Sequence, residues 1–233
     1  MKKHAVLLCS GVGSRMKSSI PKQYLTLNNR EIWTYGTETF LSSHEVDSLT
    51  IVASEQYVHH IEKNLKKIPN SQKCSVVIGG KERFDSAYNA FCSIKDTDSK
   101  ILFFDAARPF ISKSLIKKCF DALDVYPCVD VGIPVRDTVF VVEDNIIKKV
   151  PNRKTLFLGQ GPECFHLSLL RKAFEQFQKT PFPSTNISGI VQKFFPQTKL
   201  GFVLGEIHNF KITYPFDLAC AEAFLNSGDF NEH

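Results

Sequence analysis

A chain of 233 residues with 43% hydrophobic content is long enough to bury a sizeable core and too apolar to be dominated by disorder. Its net charge of +5 suits an anionic small substrate or a weak nucleic-acid surface, and no apolar run approaches the length of a membrane span. Seven cysteines, an odd number with no C-x-x-C pair, argue against a disulfide framework and a zinc site and predict a reducing, cytoplasmic setting.

After Met1-Lys2-Lys3-His4 the apolar run is too short for a secretion signal before polar Ser10, so 5–9 reads as a first buried strand. Further strands are expected at 49–53, 75–78, 101–105 and 129–134. Helical patterns lie between them, near 32–41, 57–68, 83–94 and 114–123. The Lys-rich stretch Lys63-Asn64-Leu65-Lys66-Lys67 reads as a solvated helix face, and no nucleic-acid partner is expected. Short apolar runs alternating with helix-length segments imply β-α-β units and a Rossmann-like, mainly parallel α/β sheet with helices on both faces. After Pro134 the rhythm breaks. Segments 137–142 and 146–150 flank Glu143-Asp144-Asn145, a hairpin turn signal. The hairpin is either an arm that packs on a second subunit or an edge hairpin of the same domain. The α/β pattern resumes with a helix near 167–178, a strand at 200–204 and a closing helix near 215–225. No linker or repeat interrupts the chain, so 1–233 reads as one domain with an inserted arm at 137–158.

The stretch Ser10-Gly11-Val12-Gly13-Ser14-Arg15-Met16, followed by Pro21-Lys22-Gln23, directly follows the first strand. A glycine-containing loop there presents backbone N–H groups to phosphate, and Gly11 and Gly13 let the backbone approach a ligand. Arg15 and Lys22 add two cations. Both the dinucleotide fingerprint and the P-loop pattern need glycine at position 16, and Met16 argues against each. A merely basic strand-to-helix turn is the alternative. Ligands of such sheets sit beyond the carboxyl ends of the strands. Ser10, Gly79-Gly80 and Asp105 occupy three of those ends, and their convergence weighs more than any single motif.

These residues also carry a resemblance. Gly11-Val12-Gly13-Ser14-Arg15-Met16, Pro21-Lys22-Gln23-Tyr24, Gly79-Gly80-Lys81-Glu82-Arg83 with Ser86, Asp105-Ala106-Ala107-Arg108-Pro109-Phe110, Pro134-Val135-Arg136-Asp137-Thr138 and Asn209-Phe210-Lys211-Ile212-Thr213 occur in this order. Together they resemble the CTP-dependent cytidylyltransferases that make CDP-linked polyols from 2-C-methyl-D-erythritol 4-phosphate or ribitol 5-phosphate. The resemblance implies that Ser10, Gly11 and Gly13 wrap the CTP phosphates. Gly80, Arg83 and Ser86 would surround the cytosine and ribose, although Arg83 alone also reads as an exposed helix residue. Arg15, Lys22 and Lys211 would be catalytic cations, and Lys211 would also hold the substrate phosphate. Asp105 would hold Mg²⁺, a hard cation suited to carboxylate and phosphate oxygens; read alone it is also a strand-end turn cap. Thr138 and Arg153 would reach the polyol phosphate of a neighbouring subunit, making a homodimer with shared sites. An exposed hairpin arginine is the plainer reading of Arg153.

Two branches compete. Val150-Pro151-Asn152-Arg153 with Gly159-Gln160, and Gly205-Glu206-Ile207-His208-Asn209, resemble the ribitol-phosphate branch, which is favoured. The Asp105 and Pro134 motifs resemble the methylerythritol branch. Phe104, Gly161, Glu163, Asn186 and His208 depart from the usual pattern. They leave room for another sugar or polyol phosphate, or for a nucleotide-binding protein with impaired catalysis.

Overall fold

The computed structural model describes residues 1–16, 18–228 and 230, with only the backbone given at Ser14. In chain order the first half runs β1 (Lys2–Cys9), β2 (Thr26–Leu27), β3 (Arg30–Glu31), α1 (Ile32–Ser42), β4 (Ser48–Ala53), α2 (Val58–Leu65), β5 (Cys74–Ile78), α3 (Arg83–Ser93) and β6 (Ser99–Asp105). The second half runs α4 (Lys113–Ala122), β7 (Cys128–Pro134), β8 (Val141–Glu143), β9 (Ile146–Lys149), β10 (Phe157–His166), α5 (Leu167–Lys179), α6 (Ile187–Phe194), β11 (Leu200–Leu204) and α7 (Pro215–Asn226).

Among the described residues, seven strands form one sheet in the order β11-β7-β10-β6-β1-β4-β5. β1 pairs in parallel with β4 and β6, β4 with β5, and β7 with β11. Only β10 runs the other way, between β6 and β7. The sheet is buried on both faces because successive side chains point oppositely. Along β1, Ala5, Leu7 and Cys9 enter the core under α1, α2 and α4. Val6 and Leu8 enter the core under α3, α5 and α6. A third cluster joins Met16, Leu27, Ile32, Phe110 and Ile212 to α7. No helix among the described residues is long and apolar enough to cross a membrane.

The expected alternation of strands and helices is present, with three additions. β2 and β3 form a small hairpin through Asn28 and Asn29, both at positive φ. α6 is short and carries Ser188 and Gly189, which blur a helical period. β10 holds Gly159, Gly161 and Pro162, residues that punctuate turns, and a bulge separates Gly159 from Glu163. Phe157 and Leu158 pair with Pro134 and Ile133, so they begin this main-sheet strand. Among the described residues β8 and β9 pair only with each other, through Asp144 and Asn145 at φ of 50° and 62°, as a type I′ turn requires.

Candidate active site

β1 lies between β4 and β6, so chain connections leave its two sides in opposite directions and a crevice opens at its carboxyl end. A cavity of about 300 Å³ occupies this crevice. Its lining includes every residue expected at the nucleotide and the catalytic centre: Ser10, Gly11, Gly13, Arg15, Lys22, Gly80, Arg83, Ser86, Asp105 and Lys211. Thr138 and Arg153 are not brought there. Both are exposed on the arm, where Arg153 donates to the Arg136 carbonyl at 2.5 Å.

Local sequence explains the loop after β1. Gly13 has φ of 67°, and a Cβ there would crowd the Lys22 backbone nitrogen at 3.2 Å. Met16 sinks into the third cluster and its N–H donates to the Gly13 carbonyl at 3.0 Å, so a large apolar residue anchors the turn where nucleotide fingerprints place glycine. Gln23 donates to the Cys9 and Gly11 carbonyls, each at 2.7 Å. Opposite the loop, a Cβ on Gly80 would fall 2.1 Å from the Asp85 Cβ, so only glycine lets this strand end meet the first turn of α3. The Gly80 N–H donates to the Ser86 hydroxyl at 3.1 Å, and Ser86 meets the Ser10 hydroxyl at 2.8 Å. Ser10, Gly80 and Ser86 thus form one wall.

The floor is electrostatic. Asp105 receives Lys211 Nζ at 2.7 Å on Oδ2 and Arg83 Nε at 3.3 Å on Oδ1. Among the described residues its oxygens accept from these two side chains and from no backbone N–H, unlike a turn cap. Burial alone would raise its carboxyl, but Arg83, Lys211 and Arg108 hold it well below the ordinary carboxylate range. Lys22 is 8% exposed. Burial and the nearby Lys211 push its ammonium down to about 8, Asp105 pulls it partly back, and Arg15 and Arg108 add to the depression. The site concentrates positive charge around the Asp105 carboxylate, as a polyphosphate requires. Cys9, at the end of β1, is no thiolate: burial pushes its thiol up to about 12. Lys211 is presented by a stapled segment. Ile212 N–H donates to the Ala107 carbonyl at 2.9 Å, Arg108 donates to the Asn209 carbonyl at 2.8 Å, and Asn209 donates to the Gly161 carbonyl at 2.9 Å.

A second cavity of about 360 Å³ shares Arg83, Asp105 and Lys211 with the first and extends to Arg108, Asp130, Gln160, Gly161, Glu163, Thr185 and Asn186. Sequence reasoning assigned no role to Arg108, Asp130 or Gln160. A lone aspartate inside the apolar run Cys128-Val129-Asp130-Val131 was the available signal. The five departures now separate. Gly161, Glu163 and Asn186 line this cavity. Phe104 is a core residue, edge-on to Phe40 at 5.7 Å. His208 stacks on Phe224 and lies 3.2 Å from Glu206.

Among the described residues no group of three or more His, Cys, Asp or Glu side chains is arranged to hold a metal. One ionised carboxylate facing the cavity does fit Mg²⁺, which takes one or two carboxylates and completes its octahedron with substrate phosphates and water.

A family model described as IspD: 2-C-methyl-D-erythritol 4-phosphate cytidylyltransferase matches residues 3–227. The 2-C-methyl-D-erythritol 4-phosphate cytidylyltransferase of Thermobifida fusca is 34% identical over 232 residues, covering 96% of this chain and 93% of its own length. The bifunctional ribulose 5-phosphate reductase/CDP-ribitol pyrophosphorylase Bcs1 of Haemophilus influenzae is 33% identical over 226 residues and covers 95% of this chain. The chain spans 48% of that relative's length. The crystal structure of 4-diphosphocytidyl-2C-methyl-D-erythritolsynthase from Anaerococcus prevotii matches with a TM-score of 0.87 at 25% identity, over 97% of this chain and 96% of that one. With the family model spanning nearly the whole chain, and a relative above 30% identity matched over nearly its full length, this chain belongs to the IspD family of cytidylyltransferases, enzymes that transfer CMP from CTP.

Proposed function

We propose that the chain transfers CMP from CTP to a polyol phosphate, releasing pyrophosphate, and that ribitol 5-phosphate is preferred over 2-C-methyl-D-erythritol 4-phosphate. The carrying observation is the meeting of Arg83, Asp105 and Lys211 where the two cavities join. The first cavity takes CTP, with its phosphates on the Ser10–Gly13 loop and its base beside Gly80, Arg83 and Ser86. The second takes the polyol phosphate.

The phosphate of the acceptor is largely ionised near neutral pH, its second pKa being about 6. One of its oxygens attacks the α-phosphorus in line. The new P–O bond forms as the bond to the β-phosphate breaks, and the electron pair leaves with pyrophosphate. No general base is needed, which suits a site without an activated His or Cys. Lys211 orients the attacking phosphate. Arg15 and Lys22 stabilise charge growing on the α-phosphate and leaving group. Asp105 would hold Mg²⁺, which when bound neutralises phosphate oxygens.

The ribitol preference draws on the motifs around Asn152, Gln160 and His208 and on the polar lining of the second cavity. Asp130, Gln160, Thr185 and Asn186 offer acceptors and donors to a chain of hydroxyls. Four charged site residues in place weigh against an impaired nucleotide-binding protein. The test is pyrophosphate release from CTP, UTP, ATP and GTP against a panel of polyol and sugar phosphates. Turnover is expected with CTP and greatest with ribitol 5-phosphate. Comparable turnover with ATP refutes the CTP assignment, and faster turnover with the methylerythritol substrate reverses the branch.

The arm supports a homodimer. Phe140, Val141, Val142, Ile146, Ile147 and Val150 are exposed on it, an apolar surface of the kind that marks a protein interface. In this reading Thr138 and Arg153 of one chain complete the polyol-phosphate site of the other. Mixing a Lys211→Ala subunit with an Arg153→Ala subunit, each inactive alone, then leaves one site per mixed dimer free of both defects. Activity should partly return. No recovery after verified subunit exchange removes Arg153 from a shared site.

A further inference from the structure

Arg83 stands in the wall common to both cavities, and two carboxylates hold its guanidinium. Nε reaches Asp105 at 3.3 Å, and Nη2 reaches Glu163 at the shorter distance of 2.6 Å. Burial would lower the guanidinium's proton affinity, but Glu163 and Asp105 more than offset this and raise it. Asp105 is divided between Arg83 and Lys211, and it faces the space the nucleotide and metal would enter. Glu163 is committed differently. It is 7% exposed, and its second oxygen accepts the Ile187 N–H at 2.6 Å, at the start of α6. A carboxylate at a helix N-terminus is favoured by the free N–H groups and the helix dipole. Asn186 caps the same helix: its Oδ1 accepts from Gly189 N–H at 3.1 Å, while its Nδ2 donates to the Ser188 hydroxyl at 2.6 Å and lies 3.4 Å from Asp130 Oδ2. A carboxylate at 186 would face Asp130, so an amide suits that position. Two of the departures from the family pattern are therefore joined in one structure at the start of α6.

We propose that Glu163 is the positioning residue that fixes the Arg83 guanidinium between the two cavities, anchored by the first turn of α6, so that CTP meets a preorganised cation. The proposal rests on the CTP reading above. Asp105 can then turn to the substrates without releasing Arg83. A glutamine at 163 keeps the shape, but it satisfies only one of the two donors with its single oxygen and sets its amide against the other.

The test is a double-mutant cycle of Glu163→Gln and Arg83→Ala, read by calorimetric Kd for CTP and by kcat/KM for pyrophosphate release. Glu163→Gln should weaken CTP binding and kcat/KM roughly 10–100-fold. In the Arg83→Ala background the same substitution should change the Kd by no more than about twofold. Equal effects in both backgrounds, or unchanged CTP binding with a lowered Tm, would make Glu163 a helix cap only and overturn the proposal. A readout without nucleotide separates this outcome from failure of the CTP reading: the ¹⁵N-edited proton signal of the Arg83 Nη2 group, the nitrogen that Glu163 holds. It should exchange slowly with water in the wild type and rapidly in Glu163→Gln. Unchanged exchange refutes the anchor, whereas absence of wild-type CTP binding refutes only the nucleotide assignment.

Discussion

Lys22→Ala should lower kcat by about 10²–10³-fold, the usual loss when one preorganised contact to developing charge is removed. KM for CTP should change far less. Lys22 is held among Lys211, Arg15 and Arg108, and burial and these neighbours push its ammonium down to about 8. A cation kept in so poor an environment gains most when negative charge grows beside it, so its contribution is larger in the transition state than in the ground state. The same depression gives a pH signature. In the free enzyme Lys22 loses its proton as pH rises through about 8, so kcat/KM should fall on that alkaline side. Bound triphosphate favours the ammonium, so kcat should hold to higher pH. Lys22→Ala should abolish the difference between the two profiles. Because the folded-state value is depressed from 10.5, the charged lysine costs the wild type stability below about 8, and this cost fades as pH rises toward 10.5. The variant should therefore gain relative thermal stability at neutral pH and lose that gain in alkali. An unchanged kcat with a raised KM would make Lys22 a ground-state binding residue.

Much of this site is legible in the sequence because it sits where one structural period ends. Apolar runs such as Ala5-Val6-Leu7-Leu8 locate strands, and the first polar residues after them are carried to one edge by the topology. Ser10, Gly80 and Asp105 are separated by long stretches of chain yet line one cavity for that reason. What sequence reasoning misses depends on β10. Its run Gly159-Gln160-Gly161-Pro162 looks like a turn because those residues favour turns in isolation, yet the neighbouring strands β6 and β7 hold it extended. Overlooking that strand hides Gln160 as a cavity residue. Phe104 shows the opposite case. A departure beside Asp105, the proposed metal ligand, leaves altered chemistry open, but strand alternation turns the Phe104 side chain to the core while Asp105 faces the site.

Asp105→Asn should remove activity by at least about 10²-fold while the chain still folds, since the substitution deletes the carboxylate that faces both Lys211 and Arg83 on the cavity floor. Both carboxylate oxygens are engaged by cations, and the asparagine leaves Lys211 and Arg108 without that counter-charge while Arg83 keeps only Glu163. The partners are partly open to water, so the stability loss should be about 1–2 kcal/mol, or roughly 2–8 °C in Tm. The sign of its pH dependence follows from the lowered carboxyl. A group whose folded value lies below its unfolded value contributes stability above the unfolded value, about 3.9, and loses that contribution as pH falls further. The Tm gap between wild type and Asp105→Asn should therefore be constant near neutrality and close only below about pH 4. Calorimetric titration with Mg²⁺ and CTP separates the two roles of the carboxylate. If Asp105 holds the metal, the variant should lose Mg²⁺ dependence of CTP binding. If it only orients Lys211 and Arg83, that dependence should persist while kcat still falls. Retention of near-wild-type turnover would remove Asp105 from the chemistry altogether and leave it a charge that organises the floor.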